Sequence, residues 1–250
     1  WTSLDYLGES GIGRTILGEM DDFLGAYPWH QANCGDLDLC GFKRPQSYYR
    51  DILWGNQTKL YIAVHPPIPE GKTVTVTLWG WHDVWHNWTW HGYEGQTFKV
   101  DVYSACEKVE LFLNGQSLGV KPTTKEEKFI ASFEVPYAPG ELKAVGFIGE
   151  KPAVEFIVKT ASQPTQIRLT PDRTSIKAEA GDLCYVTVEI LDQEGQVHPC
   201  ADRPIFFTVK GEAVLAAVGN ANPVSTERYR GNQRQTYRGR CLVVLKSIGK

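Results

Sequence analysis

Histidine and tryptophan side chains crowd one short stretch of the sequence, where either could do chemistry. The stretch contains Trp79, Trp81, His82, Asp83, Trp85, His86, Trp88, Trp90 and His91. His82 and His86 are four positions apart, a spacing that on a helix would turn both imidazoles toward one metal ion. The flanking residues indicate strands instead, and positions four apart on a strand are separated by ~13 Å. The sequence therefore predicts no metal site.

The tryptophans of this stretch have two interpretations. An exposed set of indole rings could stack on the C–H faces of sugars, as in a carbohydrate-binding module. A buried set would form part of a β-sandwich core and pack against a neighbouring domain. Because tryptophan is usually largely buried, we favour packing and keep sugar binding as the alternative.

Acidic residues near the start of the chain do not form a recognisable catalytic pair. They occur as Asp5 with Glu9, as Glu19 with Asp21 and Asp22, and as Asp36 with Asp38. An acid/base pair needs its two carboxylates at a set distance in space, and spacing in sequence does not supply it. We expect solvated loop charges at these positions.

A glycine-rich run from Gly8 to Gly13 has no phosphate-binding pattern. The run lacks the lysine of G-x-x-x-x-G-K-[ST] and does not fit G-x-G-x-x-G. The sequence therefore predicts no nucleotide, and no other cofactor is indicated.

Composition and cysteine spacing narrow the classes of partner. The net charge is -3, so no strong field favours nucleic acid or an anionic membrane. No apolar run approaches the ~20 residues of a membrane span. The cysteines form no C-x-x-C pair, which leaves a zinc or thioredoxin-type site unsupported. A bridge between Cys34 and Cys40 stays open, whereas Cys106, Cys184 and Cys241 are predicted to be small buried hydrophobic residues.

Residues 1–54 are rich in glycine and aromatic side chains and predict an irregular segment that ends in one helix. Pro45 suits the first helical turn, and the apolar residues from Tyr48 to Leu53 recur at helical spacing. Gly55 is a stop signal. The chain opens on Trp1 without a signal-peptide pattern, so we expect a piece of a longer protein.

A period of two begins at Lys59 and predicts a first β-sandwich. The turn at Asn114-Gly115 is a strong hairpin signal, because both residues tolerate positive φ. Several short strands without a helix fit an antiparallel sandwich of the immunoglobulin type. The predicted strands are Leu60–Val64, Val74–Leu78, Phe98–Val102, Val109–Leu113, Phe129–Ala131, Leu142–Val145 and Val154–Val158.

The same period-two alternation resumes after the linker Ala161–Pro164 and predicts a second sandwich. Its predicted strands are Ile167–Leu169, Ser175–Ala178, Tyr185–Ile190, Ile205–Val209, Val214–Val218 and Cys241–Leu245. We expect this sandwich to be truncated, because a further strand usually follows. The fold class is thus mainly β, with two consecutive immunoglobulin-like β-sandwiches.

Several motifs resemble glycoside hydrolase family 2 of the β-galactosidase type. Trp1 to Glu9 is similar to the W-T-x-x-D-Y-L-G-E pattern at the eighth barrel strand of that family. Further similar segments are Tyr27–His30 and Gly35–Tyr49 in the loop to the eighth barrel helix, Gly92–Gly115 in the sandwich after the barrel, and Val218–Asn220 with Gly239–Val244 in the final sandwich.

The resemblance implies a domain organisation and a limit on function. Residues 1–56 would be the last strand, loop and helix of a (β/α)8 barrel, followed by sandwiches at 57–161 and 162–250. The rest of the barrel and sugar-binding domains would lie upstream. Family 2 enzymes retain anomeric configuration through two carboxylates ~5 Å apart, and both would also lie upstream of Trp1. We therefore expect this segment to be inactive alone.

The resemblance also implies substrate contacts at the C-terminal face of the barrel. Trp1 would form a wall of the sugar subsite, and Asp5 would hold neighbouring loops or a sugar hydroxyl. Trp29 and His30 either reach the same subsite or pack within their loop.

Specificity and location follow from the resemblance alone. Relatives that cleave glucuronides carry an Asn-x-Lys pair, whereas Asn33-Cys34-Gly35 lacks the lysine. This difference favours a neutral β-linked sugar such as galactose as the carbohydrate substrate. A β-glucuronidase-type specificity and a non-catalytic carbohydrate-binding or structural module stay as alternatives. We expect a periplasmic or extracellular bacterial protein.

Overall fold

The computed structural model describes residues 35–55, 59–74, 76, 81–178 and 181–248. The described part is mainly β and its paired strands are antiparallel, as predicted. The chain divides into one compact unit at Lys43–Thr160 and another that joins Ala161–Lys250 to the residues up to Phe42. The predicted last barrel strand lies outside the described residues, and the predicted domain boundaries stay predictions.

The unit at Lys43–Thr160 contains two antiparallel sheets. One is formed by β1 (Leu60–Val64), β2 (Thr97–Ser104) and β5 (Ile130–Pro136), in the order β1-β2-β5. The other has the order β4-β3-β6-β7. Its strands are β3 (Lys108–Leu113), β4 (Gln116–Pro122), β6 (Glu141–Ile148) and β7 (Lys151–Lys159).

The core of this unit lies between the two sheets. Alternate residues of β2 and β3 face inward, so Val100, Val102 and Leu111 are fully buried together with Leu142 of β6. This alternation is the period of two that the sequence shows, because successive strand side chains point to opposite faces. Each such aliphatic side chain contributes about 1.5–3 kcal/mol when it is fully buried.

Asn114 and Gly115 form the turn between β3 and β4, as predicted. Both have positive φ, 51° and 81°, which matches the turn that suits the twist of a two-residue hairpin. The Asn114 side chain also accepts a hydrogen bond from the Glu141 N–H at 2.8 Å and donates one to the Pro139 carbonyl at 3.0 Å. The turn therefore also holds the start of β6.

Helix α1 spans Pro45–Leu53 and confirms the predicted helix, with proline at its first turn and Gly55 at φ 69° after its end. The helix packs on the outer face of the β1-β2-β5 sheet. Ile52 joins a buried cluster with Tyr61 and Tyr103 of that face. No helix within the described ranges is long and apolar enough to cross a lipid bilayer.

The other unit contains a four-stranded and a two-stranded antiparallel sheet. The larger has the order β11-β13-β9-β8, and its strands are β8 (Gln166–Pro171), β9 (Leu183–Leu191), β11 (Ala213–Gly219) and β13 (Arg240–Ser247). The smaller pairs β10 (Pro204–Phe206) with β12 (Gln233–Gln235). Val188, Val218 and Cys241 form the centre of the core, with Ile205 packed against it.

Two predicted strands are wrong over the residues that can be compared. Val74 and Val76 are 58% and 39% exposed and lie outside any strand. Ser175–Ala178 is likewise irregular. Within the described ranges neither segment has a neighbouring strand to pair with, and a sheet forms by pairing between strands.

Candidate functional sites

The four residues predicted to contact sugar, Trp1, Asp5, Trp29 and His30, lie outside the described residues, so their roles stay predictions. Of the acidic groups considered above, Asp36 and Asp38 are described. One Asp38 oxygen accepts hydrogen bonds from the N–H groups of Cys40 at 2.8 Å and Phe42 at 3.0 Å. Asp38 therefore caps a turn, whereas the sequence predicted only a solvated loop charge at this position.

The tryptophans that follow the predicted strand at Val74 serve mainly as core residues. Trp88 is 0% exposed and Trp90 is 7% exposed, and the Trp88 indole N–H donates to the Ala138 carbonyl at 3.0 Å. Trp85 is half-buried, with its ring centroid 5.3 Å from that of Trp90. The burial of Trp88 and Trp90 confirms packing for these two residues, and Trp79 lies outside the described residues.

His82 and His86 do not share a ligand position. The His82 ring lies 5.4 Å from the His65 ring, whereas the His86 ring lies 5.6 Å from Tyr61 and 5.3 Å from Phe156. Within the part of the chain that is described, no group of three or more His, Cys, Asp or Glu side chains is arranged to hold a metal ion.

The most polar arrangement in the first unit joins His65, Asp101 and Ser132. His65 Nε2 lies 2.6 Å from Asp101 Oδ2, and the Ser132 hydroxyl donates to Asp101 Oδ1 at 2.5 Å. These are the residue types of a hydrolytic triad, but the carboxylate stands between the other two. A nucleophilic serine must instead bond to the imidazole that takes its proton, so this arrangement cannot activate Ser132.

Asp101 is buried yet favours its charged form. Burial raises the pKa of its carboxyl, but the hydrogen bonds from His65 and Ser132, together with the charges of His65 and Lys99, outweigh burial and lower that pKa. Lys99 Nζ lies 3.7 Å from Asp101 Oδ1. The cluster is therefore a satisfied buried charge that ties β1, β2 and β5 together.

Aromatic rings cover the rest of this sheet face and hold α1. Tyr48 of the helix stacks on Tyr61 of β1 with centroids 4.3 Å apart, and Tyr49 lies 5.1 Å from Tyr103 of β2. Arg50 lies 5.0 Å from the Trp81 ring, a cation–π contact. These rings face one another and serve to attach the helix.

A buried arginine of β12 organises the loop between β11 and β12. Arg234 is 1% exposed, and its guanidinium donates to Asn220 Oδ1 at 3.1 Å and to the Glu227 carbonyl at 3.2 Å. The Glu227 carboxylate accepts the Gln235 N–H at 3.0 Å. A buried charge is tolerated when it is paired and hydrogen-bonded, so we interpret this cluster as structural.

Three described cysteines, Cys40, Cys184 and Cys241, lack the lowered pKa of reactive thiols. Cys106, Cys184 and Cys241 are buried, as predicted. Burial raises the pKa of the Cys241 thiol to about 12, and burial with the nearby Asp38 carboxylate raises that of Cys40. Reactive cysteines need a lowered pKa. The question of a bridge from Cys40 to Cys34 falls outside the described residues.

Sequence reasoning missed both charged clusters. A usable signal exists for the first, because Asp101 and Ser132 interrupt apolar strands at the positions that face away from the core. No comparable signal exists for Arg234, since it stands in the polar run Gln233–Gln235 and its partners come from a loop.

The geometry on both units defines a class of protein domain: antiparallel β domains in which the described charged clusters pair internally. Comparison with known proteins agrees with this class. Residues 167–250 match the family described as glycoside hydrolase family 2 C-terminal domain 5, and residues 95–154 match a domain family of unknown function.

Known proteins resemble the chain along most of its length. The β-galactosidase BoGH2A of Bacteroides ovatus is 35% identical over 253 residues, which cover 100% of this chain and 25% of that protein. A β-glucuronidase of Formosa agariphila is 27% identical over 183 residues, 72% of this chain and 16% of that protein. A crystal structure of a glycosyl hydrolase family 2 member from Bacteroides cellulosilyticus has a TM-score of 0.83 at 42% identity, and the match covers 90% of this chain and 29% of that one.

The resemblance inferred from the sequence motifs is thereby confirmed. The chain belongs to glycoside hydrolase family 2 and carries a C-terminal domain of that family. It spans about a quarter of the length of BoGH2A.

Proposed function

We propose that this chain is the C-terminal, non-catalytic part of a retaining exo-glycoside hydrolase that removes terminal β-linked sugars. The observation that carries the proposal is the 35% identity to the β-galactosidase BoGH2A across the whole chain. The catalytic acid/base and nucleophile belong to upstream barrel strands, ~5 Å apart as in retaining enzymes. The parent protein also contains sugar-binding domains upstream of this chain.

β-Galactosides are the preferred substrate class in this proposal. Two observations support them: the similarity to BoGH2A, and Asn33-Cys34-Gly35, where a lysine for a uronate carboxylate is absent. The similarity to the Formosa agariphila β-glucuronidase is a specific observation in favour of β-glucuronidase-type specificity as the second candidate.

The two β units act as supports in this proposal, and the parent protein works in the periplasm or outside a bacterial cell. The burial of Trp88 and Trp90 supports the structural role, because an indole that stacks on sugar needs an accessible face. A carbohydrate-binding role would fall to half-buried Trp85. Trp1 and Asp5 of the last barrel strand provide sugar contacts of the parent enzyme, together with Trp29 and His30 of the following loop.

The substrate class is tested on the full-length parent enzyme with matched 4-nitrophenyl glycosides. We expect kcat/KM for the β-galactoside to exceed that for the β-glucuronide by at least about a hundredfold, since an uncompensated buried carboxylate costs several kcal/mol. A preference for the glucuronide would reject galactoside specificity while leaving the family assignment intact. A Trp1→Ala variant of the parent should lose kcat/KM, whereas an Ile157→Ala variant on the exposed side of β7 should keep it.

The carbohydrate-binding alternative is tested on the 250-residue chain by calorimetric titration with β-galactan oligosaccharides. We expect no heat of binding. Saturable binding that a Trp85→Ala variant loses, with unchanged circular dichroism, would assign a glycan site to this surface. Trp88 is unsuitable for this test, because removing its buried side chain would leave a cavity in the core.

A further inference from the structure

Residues 81–86 run beside the β1 edge of the β1-β2-β5 sheet, and we call them the clasp. Val84 is 4% exposed and belongs to the same buried cluster as Tyr61 and Tyr103. Trp85 pairs with Val64 of β1 through two backbone hydrogen bonds, of 2.9 and 2.8 Å. The clasp is therefore attached at one point by a backbone pair and elsewhere by side chains.

One of those side-chain contacts joins two titratable groups. The His82 ring lies edge-on to the His65 ring, with centroids 5.4 Å apart and planes at 62°. His65 already engages Asp101 at 2.6 Å. Two positive charges at the distance between these two rings would repel each other.

Among the described residues, the charged groups around this contact are engaged with partners other than His82. On β2, Asp101 is bonded to His65 and Ser132, and Lys99 lies 3.7 Å from it. On β4, Lys121 donates to the Ser132 carbonyl at 2.5 Å. Asp83 of the clasp accepts from the Trp85 indole at 3.1 Å. Glu134 of β5 lies opposite Lys99 in the strand register.

We propose that the clasp is an acid-responsive latch, which is closed on the sheet while His82 is neutral and loosens when His82 takes up a proton beside His65. The opened state would expose the face of the β1-β2-β5 sheet next to α1. This device goes beyond the proposed glycosidase function and does not depend on it.

The electrostatics at the contact agree in direction with the latch. Burial, then the charges of His65 and Lys99, lower the pKa of His82 from its ordinary value of 6.5, against a smaller opposite effect of Asp101. The open clasp therefore binds a proton more readily than the closed one. Closure is fully favoured above pH 6.5 and is weakened as the pH falls below that value toward the pKa of the closed state.

The test is amide hydrogen exchange of the 250-residue chain, measured by NMR at about pH 7.5 and about pH 5.5 and corrected for the intrinsic chemical rate. The reporters are the amides of Val64 and Trp85, which bond to each other across the clasp. Two like charges ~5 Å apart near a protein surface shift an equilibrium about threefold or more. We expect the opening equilibrium at both amides to rise at least threefold at the lower pH.

A His82→Gln variant keeps a polar side chain of similar reach without the titration, and we expect its opening equilibrium to be the same at both pH values. His82→Asn is the second variant and should behave alike. The β3 amides in the β3–β6 ladder are the internal control and should not change. Equal protection of the wild type at both pH values, an unaltered pH response in both variants, or an equal rise at the β3 amides would each overturn the latch.

Discussion

Asp192 shows how a single carboxylate can hold an irregular stretch of chain. The side chain is 0% exposed, and it accepts the N–H groups of Ser162, Glu194 and Gln196 at 3.0, 3.0 and 2.9 Å. The first of these N–H groups belongs to the predicted linker. Asp192 therefore fastens the linker to the turn after β9.

An Asp192→Ala variant should lower the free energy of unfolding by about 2–4 kcal/mol, because three backbone N–H groups lose an ionised partner that is itself buried. Urea unfolding followed by circular dichroism measures the change. Gln193→Ala, at the exposed neighbouring position, is the matched control and should stay within about 0.5 kcal/mol of the wild type. A loss below about 1 kcal/mol in Asp192→Ala would contradict this account of the turn.

Gly146 of β6 is needed for close packing rather than for backbone freedom. A Cβ added there would lie 2.6 Å from Cys106 Sγ and 3.1 Å from Val154 Cγ1. A Gly146→Ala variant should therefore be destabilised by about 1–3 kcal/mol through overpacking, as measured by its urea midpoint.

The matched double variant identifies the cause of that loss. Cys106→Ala removes the nearest atom, so Gly146→Ala in the Cys106→Ala background should cost at least about 1 kcal/mol less than in the wild type. If the losses of stability in the two single variants simply add in the double variant, contact with Cys106 does not explain why glycine stands at position 146.

At the scale of elements, the β3–β4 hairpin was the most predictable feature. Gly115 has φ 81°, which costs an L-residue about 1–2 kcal/mol. Gly115→Ala should thus destabilise the chain by about 1 kcal/mol, and Asn114→Ala should cost more because it also removes two hydrogen bonds to the start of β6. Thermal unfolding of both variants beside Gln116→Ala, an exposed control in β4, measures this order. A larger loss of stability in Gly115→Ala than in Asn114→Ala would contradict this order.

Helix α1 and the sandwich strands follow from patterns that local chemistry dictates. Proline at the first turn, an apolar stripe and Gly55 predict the two ends of α1, at Pro45 and Leu53. The alternation of apolar and polar residues predicts β2 and β3. Val74 and Val76 alternate with threonines in the same way but pair with no strand among the described residues. A strand needs a partner from elsewhere in the chain, and the local sequence does not reveal that partner.

The strands that were missed have the opposite pattern. β4 is exposed along nearly all of Gln116–Pro122, and β12 is the polar run Gln233–Gln235. Both are defined by pairing, with β3 and β10 respectively. Hydrophobic periodicity cannot find such edge strands, and it cannot find the buried Arg234, whose burial depends on the loop around it. The predicted sugar contacts came from family motifs and stay untested by the described residues.

At the scale of the whole molecule, acid should weaken both units. Burial opposes ionisation of Asp101 and of Asp192, but hydrogen bonds outweigh it and lower each pKa below the ordinary 3.8. Each group thus contributes stability above pH 3.8 that is lost as the pH falls through its lowered pKa.

Thermal unfolding between about pH 2 and pH 6 measures this acid sensitivity. We expect the melting temperature to fall below about pH 4, and we expect Asp101→Asn and Asp192→Asn each to flatten that fall while lowering the plateau near pH 6. Variants with the same slope as the wild type would show that other carboxylates control acid unfolding.

The central claim is that the chain supports a glycosidase without supplying its catalytic carboxylates. The most direct measurement compares the purified 250-residue chain with its full-length parent on 4-nitrophenyl β-galactoside. We predict turnover by the parent and, at equal molar concentration, release of 4-nitrophenol by the chain that does not exceed the buffer rate. Turnover by the chain alone, abolished by heat denaturation, would contradict the claim.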